Sequence, residues 1–165
     1  MRVISEKDAV RGRTLFSIAA VIEGKDNTIL LMREGDLPYH NCWVIPGGYV
    51  KPDETVKQAI AREVKEETGL EVILKEFLSL YDDFLSEEEP THHIIAAYKA
   101  MVIGGGVIFT REATKYAWMN PEEVIKSDDV PDVFKRIVKD FTKRKPNGLI
   151  SRVNKFLEAH FQRAR

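Results

Sequence analysis

Between Gly47 and Leu70 the chain reads GGYVKPDETVKQAIAREVKEETGL, a segment that defines a helix at both of its ends. Thr55-Val56-Lys57-Gln58 has the form of a capping box, in which a threonine hydroxyl and a glutamine side chain satisfy N–H groups that the first turn leaves unpaired. Gly69 stands where a helix leaves through the left-handed conformation, which glycine adopts without a Cβ clash. A helix is therefore expected over Thr55 to Thr68. The Pro46-Gly47-Gly48 run before it should break the short apolar strand Trp43 to Ile45.

The segments on either side have strand character. Thr14 to Ile22 is apolar at nearly every position, as in a strand covered on both faces. Gly24-Lys25-Asp26-Asn27 reads as a turn and Thr28 to Met32 as the returning strand. Arg33 to Cys42, with Gly35, Pro38 and Asn41, reads as a surface loop. Leu70 to Leu80 and His92 to Ile103 are longer strands. They are separated by an acidic loop (Asp82, Asp83, Glu87, Glu88, Glu89) that ends at Pro90, and Gly104-Gly105-Gly106 closes the second strand as a flexible hairpin. Lys115 to Met119 is a further short strand, and Asn120-Pro121-Glu122-Glu123 starts a helix with proline in its first turn.

Two amphipathic helices are expected at the end. Val130, Val133, Phe134, Ile137, Val138 and Phe141 recur at helical spacing, as do Leu149, Ile150, Val153, Phe156, Leu157 and Phe161 after a break at Pro146-Asn147-Gly148. The fold class is α/β, a mixed sheet packed between helices. At 165 residues and 44% hydrophobic composition, one domain over 1–165 is expected, with its core over about 14–145 and a C-terminal helix over 149–163. Collagen-like, disordered and disulfide-scaffold classes are excluded by the same composition.

Cys42 is the single cysteine, so an internal disulfide is impossible and a reducing compartment, the cytoplasm, is expected. Met1 to Arg13 carries no apolar signal core, and Leu15 to Ile22 is too short to span a bilayer, so no membrane partner is expected. The net charge of −1 conceals an uneven distribution: residues 133–165 hold ten Lys/Arg against Asp140 and Glu158. A lysine-rich helical face in water accounts for this excess better than a nucleic-acid footprint does. The apolar stripes of the same helices serve a core or a homodimer contact.

Chemistry concentrates in the helix. Glu66 and Glu67 lie about 60° and about 40° to either side of Glu63 on the helical wheel. Val56, Ala59 and Ile60 fall in the same sector, so a helix docked by this face holds three acids at the rim of the core. Two readings of the spacing stand. The crowded carboxylates gather a hard cation such as magnesium or manganese, or they face water and pair with Lys57, Arg62 or Lys65.

Gly48, five residues, Glu54, seven residues, then Arg62-Glu63-Val64-Lys65-Glu66-Glu67-Thr68-Gly69-Leu70 resembles the signature of the Nudix hydrolases, G-x5-E-x7-R-E-U-x-E-E-x-G-U, at every defined position. The resemblance spans some two-thirds of the chain. It implies an α/β/α sandwich and magnesium- or manganese-dependent hydrolysis of a nucleoside diphosphate linked to another group. ADP-ribose or a nucleotide sugar is the first expectation for this substrate. A nucleoside triphosphate is the alternative, and an RNA 5′ end or a non-catalytic nucleotide sensor lies further off.

The resemblance also implies roles. Glu63, Glu66 and Glu67 would hold the metal with a backbone carbonyl at Gly47, and Glu54 would pair with Arg62 to orient them. Arg62 is also placed at the substrate. The proton of the attacking water would go to Glu63 or to Glu112, with Glu66 counted among the catalytic acids. Tyr81 and Phe84 are the aromatics expected to stack on a nucleobase, and Tyr39 and Tyr49 could do the same. His92 and His93 are adjacent on a strand and face opposite ways, so joint metal ligation is not expected. Trp118 is expected in the core, and Trp43 on or beside the metal helix. A small nucleotide is thus the expected partner.

Overall fold

Strand β1 (Arg13–Ile22) organises the architecture, because its neighbours run in both directions. The computed structural model describes residues 13–35, 38–85, 91–108 and 113–144. A 3₁₀ turn (Lys25–Asn27) leads to β2 (Ile29–Glu34), β3 (Trp43–Val44) and β4 (Gly47–Tyr49). Helix α1 (Val56–Thr68) follows, then the long strands β5 (Leu70–Phe84) and β6 (Thr91–Gly105). Strand β7 (Ala113–Met119) and helices α2 (Pro121–Lys126) and α3 (Asp132–Lys143) complete the described chain. One sheet has the order β4-β1-β6-β5, with β1 parallel to β6, and a second has the order β3-β2-β7.

Alternation along β1 divides the core in two. Ile18, Ala20 and Ile22 point to one side and pack with Ala59, Ile60 and Val64 of α1. Ala19 and Val21 point to the other and join Phe134, Ile137 and Val138 of α3. Both faces of the sheet are therefore covered, which is why Thr14 to Ile22 reads as a continuous apolar run. The result is the expected α/β fold, with helices on both sides of a mixed sheet.

Three local outcomes differ from the sequence reading. Gly47–Tyr49 forms an edge strand against β1, with Gly48 opposite Ile18, where a break is expected. Glycine makes this pairing possible, since a Cβ at Gly47 would stand 2.0 Å from the Ile18 carbonyl oxygen. Strand β5 continues past Leu80 to Phe84, pairing Asp82 with Ile94 and Asp83 with His93. The ladder to β6 overrides the low strand propensity of aspartate. Of the three glycines, Gly104 and Gly105 belong to β6 and pair with Glu71 and Leu70 rather than forming a hairpin. The expected helix over 149–163, Glu112 and Glu87 to Glu89 lie outside the described residues.

Candidate active site

Helix α1 is capped as its sequence requires. The Gln58 amide donates to the Thr55 hydroxyl at 3.3 Å, and the Thr55 amide donates to Gln58 Oε1 at 2.9 Å. Gly69 closes the helix at φ 76°, its amide donating to Lys65 at 3.0 Å. The buried stripe is Ala59, Ile60, Val64, Glu67 and Thr68. It is centred further toward Val64 and Thr68 than the wheel drawn about Glu63, so Glu66 lies outside it, with 54% of its side chain exposed.

Glu67 enters the stripe at the last turn and is 5% exposed. Its Oε2 accepts the amide hydrogen of Gly47 at 2.9 Å, and the Tyr116 hydroxyl donates to its backbone carbonyl. Glu63 lies one turn earlier, beneath Gly48. A Cβ on that glycine would stand 2.5 Å from the Glu63 carboxyl carbon, so the missing side chain makes room for the carboxylate.

Arg62 gathers the remaining acids. Its Nε and Nη2 clasp the two oxygens of Glu54 at 2.9 and 2.5 Å. Its Nη1 donates to Glu63 at 2.6 Å and to Glu66 at 3.1 Å, and Nη2 also reaches the Tyr49 carbonyl at 3.1 Å. This planar fork suits arginine and would be lost with lysine. The hydrogen bonds from Arg62 hold the Glu54 carboxyl down at about 2 against the opposing effect of desolvation, and the Lys51 amide adds to them. The same bonds, Glu54 first, push the Arg62 guanidinium further above its usual range.

Gly47, Gly48, Glu54, Arg62, Glu63, Glu66 and Glu67 are thus brought together around the edge strand β4 and the last turns of α1. Among the described residues, no three carboxylate, imidazole or thiol groups converge as they stand closely enough to hold a metal ion. Arg62 Nη1, bonded to both Glu63 and Glu66, occupies the space between them.

On the other side of β4 a cleft opens toward α3, lined by Ser17, Tyr39, Gly47, Tyr49, His93 and Phe134. Tyr39 and Tyr49 flank the His93 ring at centroid distances of 6.4 and 5.7 Å. Ser17 and His93 are buried, at 4% and 5% exposed. Burial disfavours the charged imidazole and lowers the His93 pKa, with Asp83 opposing the shift. Ser17 and His93 share the α3 face because β1 and β6 pair in parallel with Leu15 opposite His93 and Ser17 opposite Ile95, a register that the sequence does not signal.

Other expected site residues lie elsewhere. Tyr81 is buried beneath α3 and its hydroxyl donates to Asp140 at 3.1 Å, so its ring cannot stack on a ligand. Phe84 is 73% exposed and stacks on His92 at 4.9 Å, on the face opposite His93. Both follow from the continuation of β5, which makes them strand residues with sides fixed by the pleat. Trp43 packs into the α3 cluster beneath the Arg33 guanidinium instead of bordering α1. Trp118 is 44% exposed and lies outside the core.

The NUDIX domain family model matches residues 13–141. An ADP-ribose pyrophosphatase of Methanocaldococcus jannaschii is 31% identical over 153 residues, covering 89% of this chain and 86% of that one. A CTP pyrophosphohydrolase of Escherichia coli is 29% identical over 110 residues, 66% of this chain and 78% of its own. Among solved structures, a MutT protein from Methanosarcina mazei Go1 superposes with a TM-score of 0.72 at 25% identity, covering 81% of this chain and 96% of that chain. The chain belongs to the Nudix family of hydrolases.

Proposed function

We propose that the chain hydrolyses the diphosphate bridge of a small nucleotide derivative, with magnesium or manganese held by Glu63, Glu66, Glu67 and the Gly47 carbonyl. The observation that carries this reading is the surplus of carboxylates at β4. Glu54, Glu63 and Glu66 share one guanidinium, and Glu67 is buried a turn away. An all-oxygen, strongly anionic donor set fits a hard divalent cation. Glu63 and Glu66 would take up the ion by releasing Arg62 Nη1, while the two-point clasp on Glu54 keeps the guanidinium in place. When bound, such an ion neutralises phosphate oxygens and acidifies a coordinated water.

The protein's own groups supply position and proton transfer. Glu54 fixes Arg62, and Arg62 orients Glu63 and Glu66 and lies within reach of a bound phosphate. Glu63 or Glu112 takes the proton of the attacking water. The cleft across β4 receives the nucleoside, so that the diphosphate lies over the edge strand at the acids.

ADP-ribose or a nucleotide sugar is the preferred substrate. The relative named ADP-ribose pyrophosphatase, matched over 89% of this chain, supports that choice. Nucleoside triphosphate is the second reading, supported by the relative named CTP pyrophosphohydrolase. Retention of all the signature acids argues against a mere sensor, and an RNA end is the weakest reading. No helix among the described residues is long and apolar enough to cross a membrane. The cytoplasm as compartment and a homodimer through the C-terminal stripes complete the proposal. A magnesium-supplemented screen of nucleoside diphosphate derivatives and triphosphates, reading the released phosphate products, tests it. AMP and ribose 5-phosphate from ADP-ribose are expected, and no turnover of any member would overturn it.

A further inference from the structure

The floor of the cleft carries a chain of hydrogen bonds whose direction can be worked out proton by proton. Tyr39 Oη lies 2.7 Å from Asp83 Oδ2 and 3.4 Å from His93 Nδ1. A phenol has one proton and a carboxylate has none, so the short bond is donated by Tyr39 to Asp83. His93 Nδ1 must then be the donor toward the Tyr39 oxygen. Burial favours the neutral ring, which leaves Nε2 bare, and Nε2 lies 2.7 Å from Ser17 Oγ. Ser17 spends its proton on that nitrogen.

The consequence lies in what faces the ligand. Ser17 Oγ, with its proton committed inward, offers lone pairs to the cleft it lines. Aromatic rings of Tyr39 and Tyr49 form the walls. A flat heterocycle lying against these rings meets the Ser17 oxygen, and a buried acceptor left without a donor is costly.

We propose that Ser17, oriented by the His93–Tyr39–Asp83 chain, is a specificity-determining residue that selects a nucleobase presenting an exocyclic amino group, adenine or cytosine, over the same base without it. The proposal rests on the reading of the cleft as the nucleoside site. It also deepens that reading, since Asp83 and Tyr39 acquire a role in setting which way Ser17 points.

The test compares ADP-ribose with its purine-riboside analogue, which lacks the 6-amino group and introduces no new acceptor. A preference of about tenfold in kcat/KM for ADP-ribose is expected, the worth of one well-formed hydrogen bond. In Ser17→Ala the ratio should fall to about one, and Ser17→Cys, nearly isosteric and a weak acceptor, should do likewise if the alanine variant fails to fold. Equal rates of the wild type on the two substrates, or an unchanged ratio in the variants, would overturn the proposal. A second measurement is independent of turnover. Imidazole ¹⁵N spectra of the free protein should show His93 protonated at Nδ1 and bare at Nε2, and an Nε2–H tautomer would overturn it. If neither substrate is hydrolysed, the hydrolase reading fails by itself. The tautomer, with the relative binding of AMP and purine riboside 5′-monophosphate, then still decides the floor.

Discussion

The side chain of Glu67 accepts the amide hydrogen of Gly47 at 2.9 Å, tying the last turn of α1 to the edge strand β4. That bond fixes a carboxylate, 5% exposed, at the boundary between the acidic cluster and the aromatic cleft. A charge is stable at such a position when hydrogen bonds compensate for lost hydration. Under the proposed function, the bond sets this acid beside the path of a phosphate crossing β4.

The substitution Glu67→Gln separates charge from geometry. The side-chain amide oxygen of the new glutamine can still accept from Gly47, so the fold should persist, with a melting temperature within a few degrees of the wild type. Loss of the negative charge should reduce metal-stimulated hydrolysis by at least about 100-fold, beyond what a residue that merely positions a ligand is worth. Steady-state rates alongside thermal melts check this, and full activity would remove α1 from the metal site.

Gly47 and Gly48 are neighbours, yet alanine should act differently at each. At Gly48 the new methyl meets the Glu63 carboxylate, with the Cβ 2.5 Å from its carboxyl carbon. That side chain can swing aside, so the protein should fold and lose activity. At Gly47 the Cβ meets the Ile18 carbonyl oxygen at 2.0 Å and the Ala19 Cα at 2.9 Å. Backbone cannot yield so easily, and β4 should separate from β1 with a loss of several kcal/mol, about 3 or more. Circular-dichroism melts and activity assays on both variants distinguish the two cases.

Much of this arrangement is legible in the sequence because it depends on local chemistry. The capping box at Thr55 and the αL exit at Gly69 are set by residues close in the chain, whereas the pairing of Glu54 with Arg62 is implied by the resemblance to the Nudix signature. What depends on strand pairing is less legible. Asp82 and Asp83 look like loop residues until β6 draws them into a ladder, and that ladder sends Tyr81 inward and Phe84 outward. The cleft joins Ser17 to His93 across 76 residues. Their shared face follows from the parallel register of β1 and β6, which the apolar pattern alone does not specify.

Removal of divalent ions should abolish turnover without unfolding the chain. The carboxylates have protein partners in the absence of metal: Glu63 and Glu66 on Arg62, Glu67 on Gly47. Excess chelator should therefore leave the far-ultraviolet spectrum intact while activity disappears, and re-added magnesium or manganese should restore it. Turnover that persists in chelator would refute the metal-dependent reading.

The Glu54–Arg62 clasp predicts an acid-dependent contribution to stability with a definite sign. In the folded protein the Glu54 carboxyl is held at about 2, below its ordinary value of 4.5. A group depressed on folding stabilises the native state above its unfolded pKa, and that contribution is lost as the pH falls through the folded value. The window is thus pH 4.5 to about 2. Thermal melts of the metal-free protein should show the wild type losing more stability across this window than Glu54→Gln, whose amide does not titrate. Glu71, lowered by its hydrogen bond from Lys65, titrates in the same direction in both proteins and cancels in the comparison. Parallel slopes would mean that Arg62 holds Glu54 no more firmly in the folded chain than in the unfolded one.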